Sequence, residues 1–411
     1  MPDTITLRRR ADGVIVAGDH LLLFGQTGQP ARIATVIDQL DDAGHRLPLL
    51  EDVVSAFPHV ELFTIDDRRR EPGRPVAGRP VTVLARPPEP QKRSLFGLGR
   101  RPSLQPQLRR WEADQDVVLR IGDRRARRPR VSADSLELSY ILGLDDERQQ
   151  DDETAASLGS RFRDRCALAE ADVVWCGSRR LMGALRRRWN VDASLLYPPA
   201  ELSIPIAPAA AKSVVIALID AASPNWLHRL DVLAKARGDL SVVVHGEPAK
   251  PWTPRRNRIT QLQDSAEAFQ LALGRTVAVL APAGDAFDPR IVWAQAAGVP
   301  VIAAQRSVGA ELVLGLEQRA PTGIVLEDDG DDALIDAVGF IARRPDLWPT
   351  ARLVQHGRRW ARARFRQTLK SHVLDAWCVH NAAPVALADG VEIDEEAPEA
   401  EIVEPLTRSS H

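Results

Sequence analysis

The chain has 411 residues, 44% of them apolar, enough for two domains with separate cores. A formal charge of -2 and a pI near 6.5 exclude a general nucleic-acid binder, which needs a strongly basic face to displace counterions. Three scattered cysteines, Cys166, Cys176 and Cys378, exclude a disulfide framework and a CxxC metal knuckle, and they suit a reducing cytosol.

In chain order, the opening "MPDTITLRRR" lacks the apolar core of a signal peptide, and nowhere is there a run of about 18 apolar residues. A soluble protein is expected, cytoplasmic or peripheral at the inner face of the membrane. Four short apolar runs at 20–25, 59–65, 79–85 and 115–121 read as buried parallel strands. Between the first two, "PARIATVIDQLDDAGHRL" puts Ile33, Val36, Ile37 and Leu40 at helical spacing, with Gly44 placed to stop a helix. Strand, turn and helix in that order make a doubly wound unit. The turn, "GQTGQP" at 25–30, is neither a Walker loop nor GxGxxG. On its own residues it reads as a plain strand-to-helix turn.

Basic residues outnumber acids between 86 and 130, around "SLFGLG" and Trp111. One reading is a peripheral membrane contact, each cation near an anionic surface contributing about 1 kcal/mol. The others are a flexible basic insertion or a groove for an anionic glycan. The proline- and alanine-rich stretch at 195–213 is the expected interdomain linker. After it the pattern restarts, with strands at 213–220, 240–246, 258–260, 276–282, 300–304 and 322–327 and helices near 225–237 and 264–274. A further helix is opened by Asp288 and Pro289 and stopped by Gly298. Because it follows a buried strand, its first-turn N–H groups are expected to lie free in a cleft, where a diphosphate is stabilised. A long basic helical segment follows residue 345, and the acid-rich stretch at 383–405 has no Lys or Arg, marking a disordered tail. The nine histidines show no metal spacing, and no GxSxG elbow occurs. "EDDGDD" at 327–332 fails as a calcium loop, because with Gly330 as the loop glycine the first ligand position falls on Val325.

Four pieces together resemble family 4 of the glycosyltransferases, which have the two-domain GT-B fold. "ALAEADVVWCGSRRLMGALRRRWNVDASLLYPPAEL" (167–202) is similar to the family's helix, strand ending in serine, second helix and linker, with Asp172, Ser178, Pro198 and Pro199 at matching places. "GDAFDPRIVWAQAAGVPVIAAQRSVGAELV" (284–313) resembles its donor-loop helix, including Phe287, Gly298, Pro300, Gly309 and Glu311. "TGIVLEDDGDDALIDAVGFIARRPDLW" (322–348) looks like its closing strand and helix, and "GHRL" at 44–47 matches more loosely. The resemblance implies an α/β protein of two Rossmann-like, doubly wound domains facing across a cleft. Residues 1–199 would form the acceptor side and 200–365 the donor side. Residues 366–381 would return to the first domain as a C-terminal helix, and 382–411 would be the disordered acidic tail.

The implied reaction moves a hexose-type sugar from a nucleotide-diphosphate sugar to a glycan or lipid-linked acceptor, with retention of configuration, as in bacterial surface polysaccharide synthesis. It implies no metal and no cofactor. The family's two glutamates, eight positions apart, are assigned to the donor sugar's hydroxyls and to the ribose diol. Here Asp285 stands at the first and Trp293 at the second. Losing a charge-assisted hydrogen bond of about 1.5–3 kcal/mol weakens binding about ten- to a hundredfold. Trp293 either stacks on the donor or packs inward with the stripe Pro289, Val292, Ala296 and Ala297. The family's diphosphate-binding arginine and lysine fall on Ala222 or Ser223 and on His228 or Arg229. The donor-side candidates are thus Asp285, Phe287, Asp288, Arg290, Trp293, Arg229 and His228; no catalytic residue is assigned. The family's glycine-rich turn, which touches donor phosphate and acceptor, implies Gly28 and Thr27 as the corresponding contacts, beside the reading of a plain strand-to-helix turn. The alternative is a non-catalytic GT-B partner or scaffold protein with a degenerate donor site.

Overall fold

The structure is a computed structural model that describes residues 8–9, 14–17, 20–23, 29–40, 46–67, 71, 74–83, 114–122, 135–143, 168, 170–200, 212–219, 224–246, 258–263, 265–281, 283–284, 286–328 and 330–381. A small antiparallel sheet comes first, with strands β1 (Arg8–Arg9), β2 (Val14–Ala17) and β3 (His20–Leu23) in that order. The run at 20–25 therefore belongs to a hairpin and not to the buried parallel sheet.

The first large sheet joins β4 (Ile33–Leu40), β5 (Glu61–Asp67), β6 (Val81–Val83), β7 (Val117–Gly122), β8 (Leu136–Ile141), β9 (Val173–Cys176) and β10 (Ser194–Leu195). Its spatial order is β10-β9-β8-β7-β4-β5-β6, and every pairing is parallel. The segment expected as a helix at 33–40 is thus an interior strand, paired on both sides by β7 and β5. Residues 33–37 are all buried, because a parallel sheet is covered on both faces. A continuous apolar run satisfies helical spacing as readily as any other, and Ile33, Thr35, Val36 and Ile37 are β-branched, which favours the pleated state. Helix α1 (Arg46–Ala56) starts only after it. "GQTGQP" consequently leads into a strand, and Thr27 and Gly28 lie outside the described residues.

The second sheet comprises β11 (Val214–Leu218), β12 (Ser241–His245), β13 (Ile259–Gln261), β14 (Thr276–Ala281), β15 (Val301–Ala304) and β16 (Gly323–Leu326). It runs β13-β12-β11-β14-β15-β16, all parallel. Counted within the sheet this is 3-2-1-4-5-6, the doubly wound order whose ligand crevice lies at the carboxyl ends beside the reversal, here between β11 and β14.

Helix α2 (Arg179–Trp189) covers the β9 end of the first sheet. Its cap Ser178 accepts from the Leu181 amide at 3.0 Å, and Leu181, Leu185 and Trp189 are buried with Ile141, Val174 and Cys176. The second sheet carries α3 (Pro224–Ala236), α4 (Ala266–Leu273), α5 (Pro289–Ala296), α6 (Val308–Leu312) and α7 (Asp331–Arg343), followed by α8 (Thr350–Gly357). The last helix, α9 (Arg362–His380), packs back on the first core through Phe365, Leu369, Val373 and Trp377. Arg362 ties it to α1, with its Nε 3.0 Å from both Asp52 carboxylate oxygens and Nη2 2.9 Å from Glu51. The acidic tail and most of the basic stretch 86–130 lie outside the described residues. Among those described, no helix is long and apolar enough to cross a membrane.

Candidate functional site

Two helix beginnings bring the carboxyl ends of the sheets together. After β9 the chain turns at Ser178 into α2; after β15 it turns at Ser307 into α6, which carries Glu311. The Glu311 carboxylate accepts from the Arg179 amide at 2.8 Å, the Arg180 amide at 2.7 Å and the Tyr197 hydroxyl at 3.0 Å. Tyr197 also lies against Phe287, ring centroids 6.2 Å apart, just beyond the end of β14. Burial, then the negative charge of Glu311, pushes the Tyr197 hydroxyl well above its ordinary range. Burial likewise pushes the Cys176 thiol up to about 12, with Glu311 adding to the shift.

The centre of the second sheet's carboxyl edge is built around Arg290. Asp288 caps α5: its Oδ1 accepts from the Arg290 amide at 2.9 Å, and Pro289 occupies the first helical position, where no N–H is needed. The same carboxylate grips the Arg290 side chain, from Nε at 2.9 Å and from Nη2 at 2.8 Å. Nη1 donates to Nδ1 of His245 at 3.1 Å and to the His245 carbonyl at 3.2 Å. Because His245 Nε2 lies 3.3 Å from the Ser265 carbonyl, Nε2 holds the proton and Nδ1 is the acceptor. Gly246 follows with φ +118; a Cβ there would meet the Ile219 carbonyl oxygen at 2.7 Å and Arg290 Nη1 at 3.2 Å. Only glycine lets the chain turn so close to the guanidinium.

The first turn of α5 is not open. Pro289 has no N–H, Arg290 N–H goes to Asp288 Oδ1, and Ile291 N–H goes to the Asp288 carbonyl at 3.2 Å. The expectation of free amides at this helix start is corrected, because the aspartate that caps it also consumes its donors. Trp293 is half-buried against the apolar cluster of Ile216, Phe269 and Val292, its ring 6.2 Å from Phe269, which in turn lies 4.9 Å from His245. Its Nε1 is sheltered and has no hydrogen-bond partner among the described residues. Phe287 is 3% exposed in the same cluster. Arg229 lies away from this group: it donates to the Gly330 carbonyl at 2.9 Å, pairs with Asp331 at 3.3 Å and stacks over Trp226, tying α3 to the start of α7. His228 is exposed beside it, and Asp285 lies outside the described residues. Among the described residues no group of His, Cys, Asp and Glu side chains is placed to hold a metal ion.

The sequence reading missed His245 and the bonding role of Glu311. A polar residue closing the apolar run "SVVVHG" immediately before glycine was the available signal, since strand carboxyl ends are where such sheets place ligand chemistry.

No family model and no curated protein matches the sequence. Solved structures do. Sucrose-phosphate synthase from Thermosynechococcus elongatus superposes with a TM-score of 0.63 at 16% identity, covering 85% of this chain and 100% of that one. Anabaena HepE in complex with UDP gives 0.62 at 13% identity, covering 84% and 100%. The chain has the GT-B fold. WaaG, a glycosyltransferase of lipopolysaccharide biosynthesis, aligns at 0.54 and 13% identity over 87% of this chain and all of its own. The Glu311 contacts join the two Rossmann-like units, and the Arg290 group lies at the carboxyl edge of the second sheet.

Proposed function

We propose that the protein is a glycosyltransferase that moves a sugar from a nucleotide-diphosphate sugar to a glycan or lipid-linked acceptor. The observation that carries the reading is Arg290, a cation held at the carboxyl ends of β12 and β14 beside the switch point of a GT-B second unit. The donor would bind this unit, 200–365, and the acceptor the first, 1–199. Since Asp288 already neutralises Arg290, a donor diphosphate enters by exchanging places with that carboxylate, one anion for another. Asp285, at the head of the same loop, would meet the donor sugar's hydroxyls. Retention of configuration, a hexose-type donor, independence of metal and a bacterial surface polysaccharide as product are what the family resemblance adds. The basic stretch 86–130 would set the first unit against an anionic membrane on its cytoplasmic side. That HepE was solved with UDP-glucose is consistent with a nucleotide-sugar donor.

A second reading, a non-catalytic GT-B partner protein, is favoured by Trp293. An indole stands where the family presents the ribose-binding carboxylate, and it packs on Phe269 as a core side chain does. Incubation with UDP-, GDP-, dTDP- and ADP-sugars, with release of nucleoside diphosphate as readout, separates the two. Turnover with one donor that Asp285→Ala abolishes supports the enzyme; no release from any donor, by a folded sample, supports the partner protein.

A further inference from the structure

Glu311 does more than close a helix. The first three amides of α2 are all engaged, Arg179 and Arg180 by Glu311 and Leu181 by Ser178, so the anion at this positive helix end is supplied by the other Rossmann unit. Its third partner, Tyr197, sits three residues before Ala200, where the chain leaves the first unit. There the Ala200 amide donates to the Trp360 carbonyl at 2.9 Å, and Ala200 pairs with Ala361, where the chain returns. Tyr197 also stands edge-on to Trp360, centroids 6.3 Å apart. Both crossings between the units therefore run side by side, and one half-buried carboxylate binds a helix of the first unit to the residue beside them.

We infer that Glu311 is the clamp on the pivot between the two units, and that its three hydrogen bonds fix how far the cleft stands open. A carboxylate suits this role because its two oxygens serve two successive amides at once, which a carboxamide does not. The inference is independent of any donor, since its test contains none.

The experiment measures amide hydrogen exchange and small-angle X-ray scattering on the full chain without ligand. In Glu311→Ala, the Arg179 and Arg180 amides should exchange roughly tenfold faster or more, while buried amides of β4 and β14 keep their wild-type rates. The radius of gyration should rise. In Glu311→Gln one amide should stay protected, because the carboxamide keeps a single acceptor oxygen, and the expansion should be smaller. If Glu311→Ala does not fold, Tyr197→Phe replaces it, removing the hydroxyl bond alone, with a smaller expansion expected. Unchanged protection and scattering in the folded variants would overturn the inference. Faster exchange with unchanged scattering would overturn it too, reducing Glu311 to a helix cap.

Discussion

Replacing Arg362 with methionine tests how α9 is held to the first unit. Methionine keeps the apolar stem and removes the guanidinium that bridges Asp52, Glu51 and the Pro48 carbonyl. Asp52 is 1% exposed and Arg362 26%. Removing one partner of a buried pair costs about 3–5 kcal/mol. Arg366 remains 3.7 Å from Asp52, and the Glu51 pair is too exposed to add much, so the lower end, about 3 kcal/mol, is expected. At about 2–4 °C per kcal/mol, the first unit's melting temperature falls by about 6–12 °C. The pH dependence follows from Asp52, whose carboxyl burial pushes up to about 6, against the pull of Arg362 and then Arg366. A group whose folded pKa lies above its unfolded 3.8 stabilises most below that value and loses the contribution as pH rises through 6. Without Arg362 the folded value climbs further. The deficit is therefore largest near pH 8 and shrinks toward pH 5, where Asp52 takes up a proton. Urea unfolding at both pH values, followed by circular dichroism, measures this. A deficit below about 1 kcal/mol at pH 8, or one that grows on acidification, refutes the reasoning.

Three further outcomes are expected. His356, donating to the Leu312 carbonyl at 3.0 Å, is kept neutral chiefly by burial, its pKa lowered from 6.5 to about 4. Its contribution is present above pH 6.5 and lost on falling to 4, so His356→Gln should lose about 3 kcal/mol less than wild type between pH 7 and 4; parallel acid limbs in urea melts would contradict this. Gly298 has φ +76, and a Cβ there would stand 2.5 Å from Thr350 Cγ2, so Gly298→Ala should destabilise the second unit. Adding Thr350→Ala should relieve the contacts with Cγ2 and Oγ1, leaving the tight approach to Cβ at 3.0 Å and the left-handed cost of about 1–2 kcal/mol, and full recovery would show that φ is not strained. Asp288→Asn keeps an α5 cap but removes the anion on Arg290, so the matching nucleoside diphosphate should bind about tenfold tighter by calorimetry. Equal affinity would mean that Arg290 does not meet the diphosphate.

The second unit was readable in the sequence because most of its strands, unlike the short edge strand β13, are apolar runs that alternate with helix signals. Asp288, Pro289 and Gly298 mark the start and stop of α5 by local chemistry alone. The first unit was harder. β4 has no alternation because both faces are covered, and β8 is hidden because Glu137 and Ser139 interrupt its apolar pattern. Both are nonetheless buried, Glu137 paired with Arg120 on the neighbouring strand. A cross-strand ion pair of this kind depends on register, which no linear spacing displays. The site was half legible for the same reason. The residue types around α5 were visible, but Arg290 meeting His245, and Glu311 meeting two backbone amides of another sheet, are contacts made only by the fold.

The most direct measurement is a thermal-shift titration with UDP-, GDP-, dTDP- and ADP-sugars, whose sugar hydroxyls Asp285 would meet, on wild type and Asp285→Ala. A donor site at the carboxyl edge of the second sheet predicts that one nucleotide sugar stabilises the wild type, by about 2.7 kcal/mol at a hundredfold excess over its dissociation constant, and that Asp285→Ala loses most of the shift. A folded wild type that responds to none of the four contradicts a working donor site.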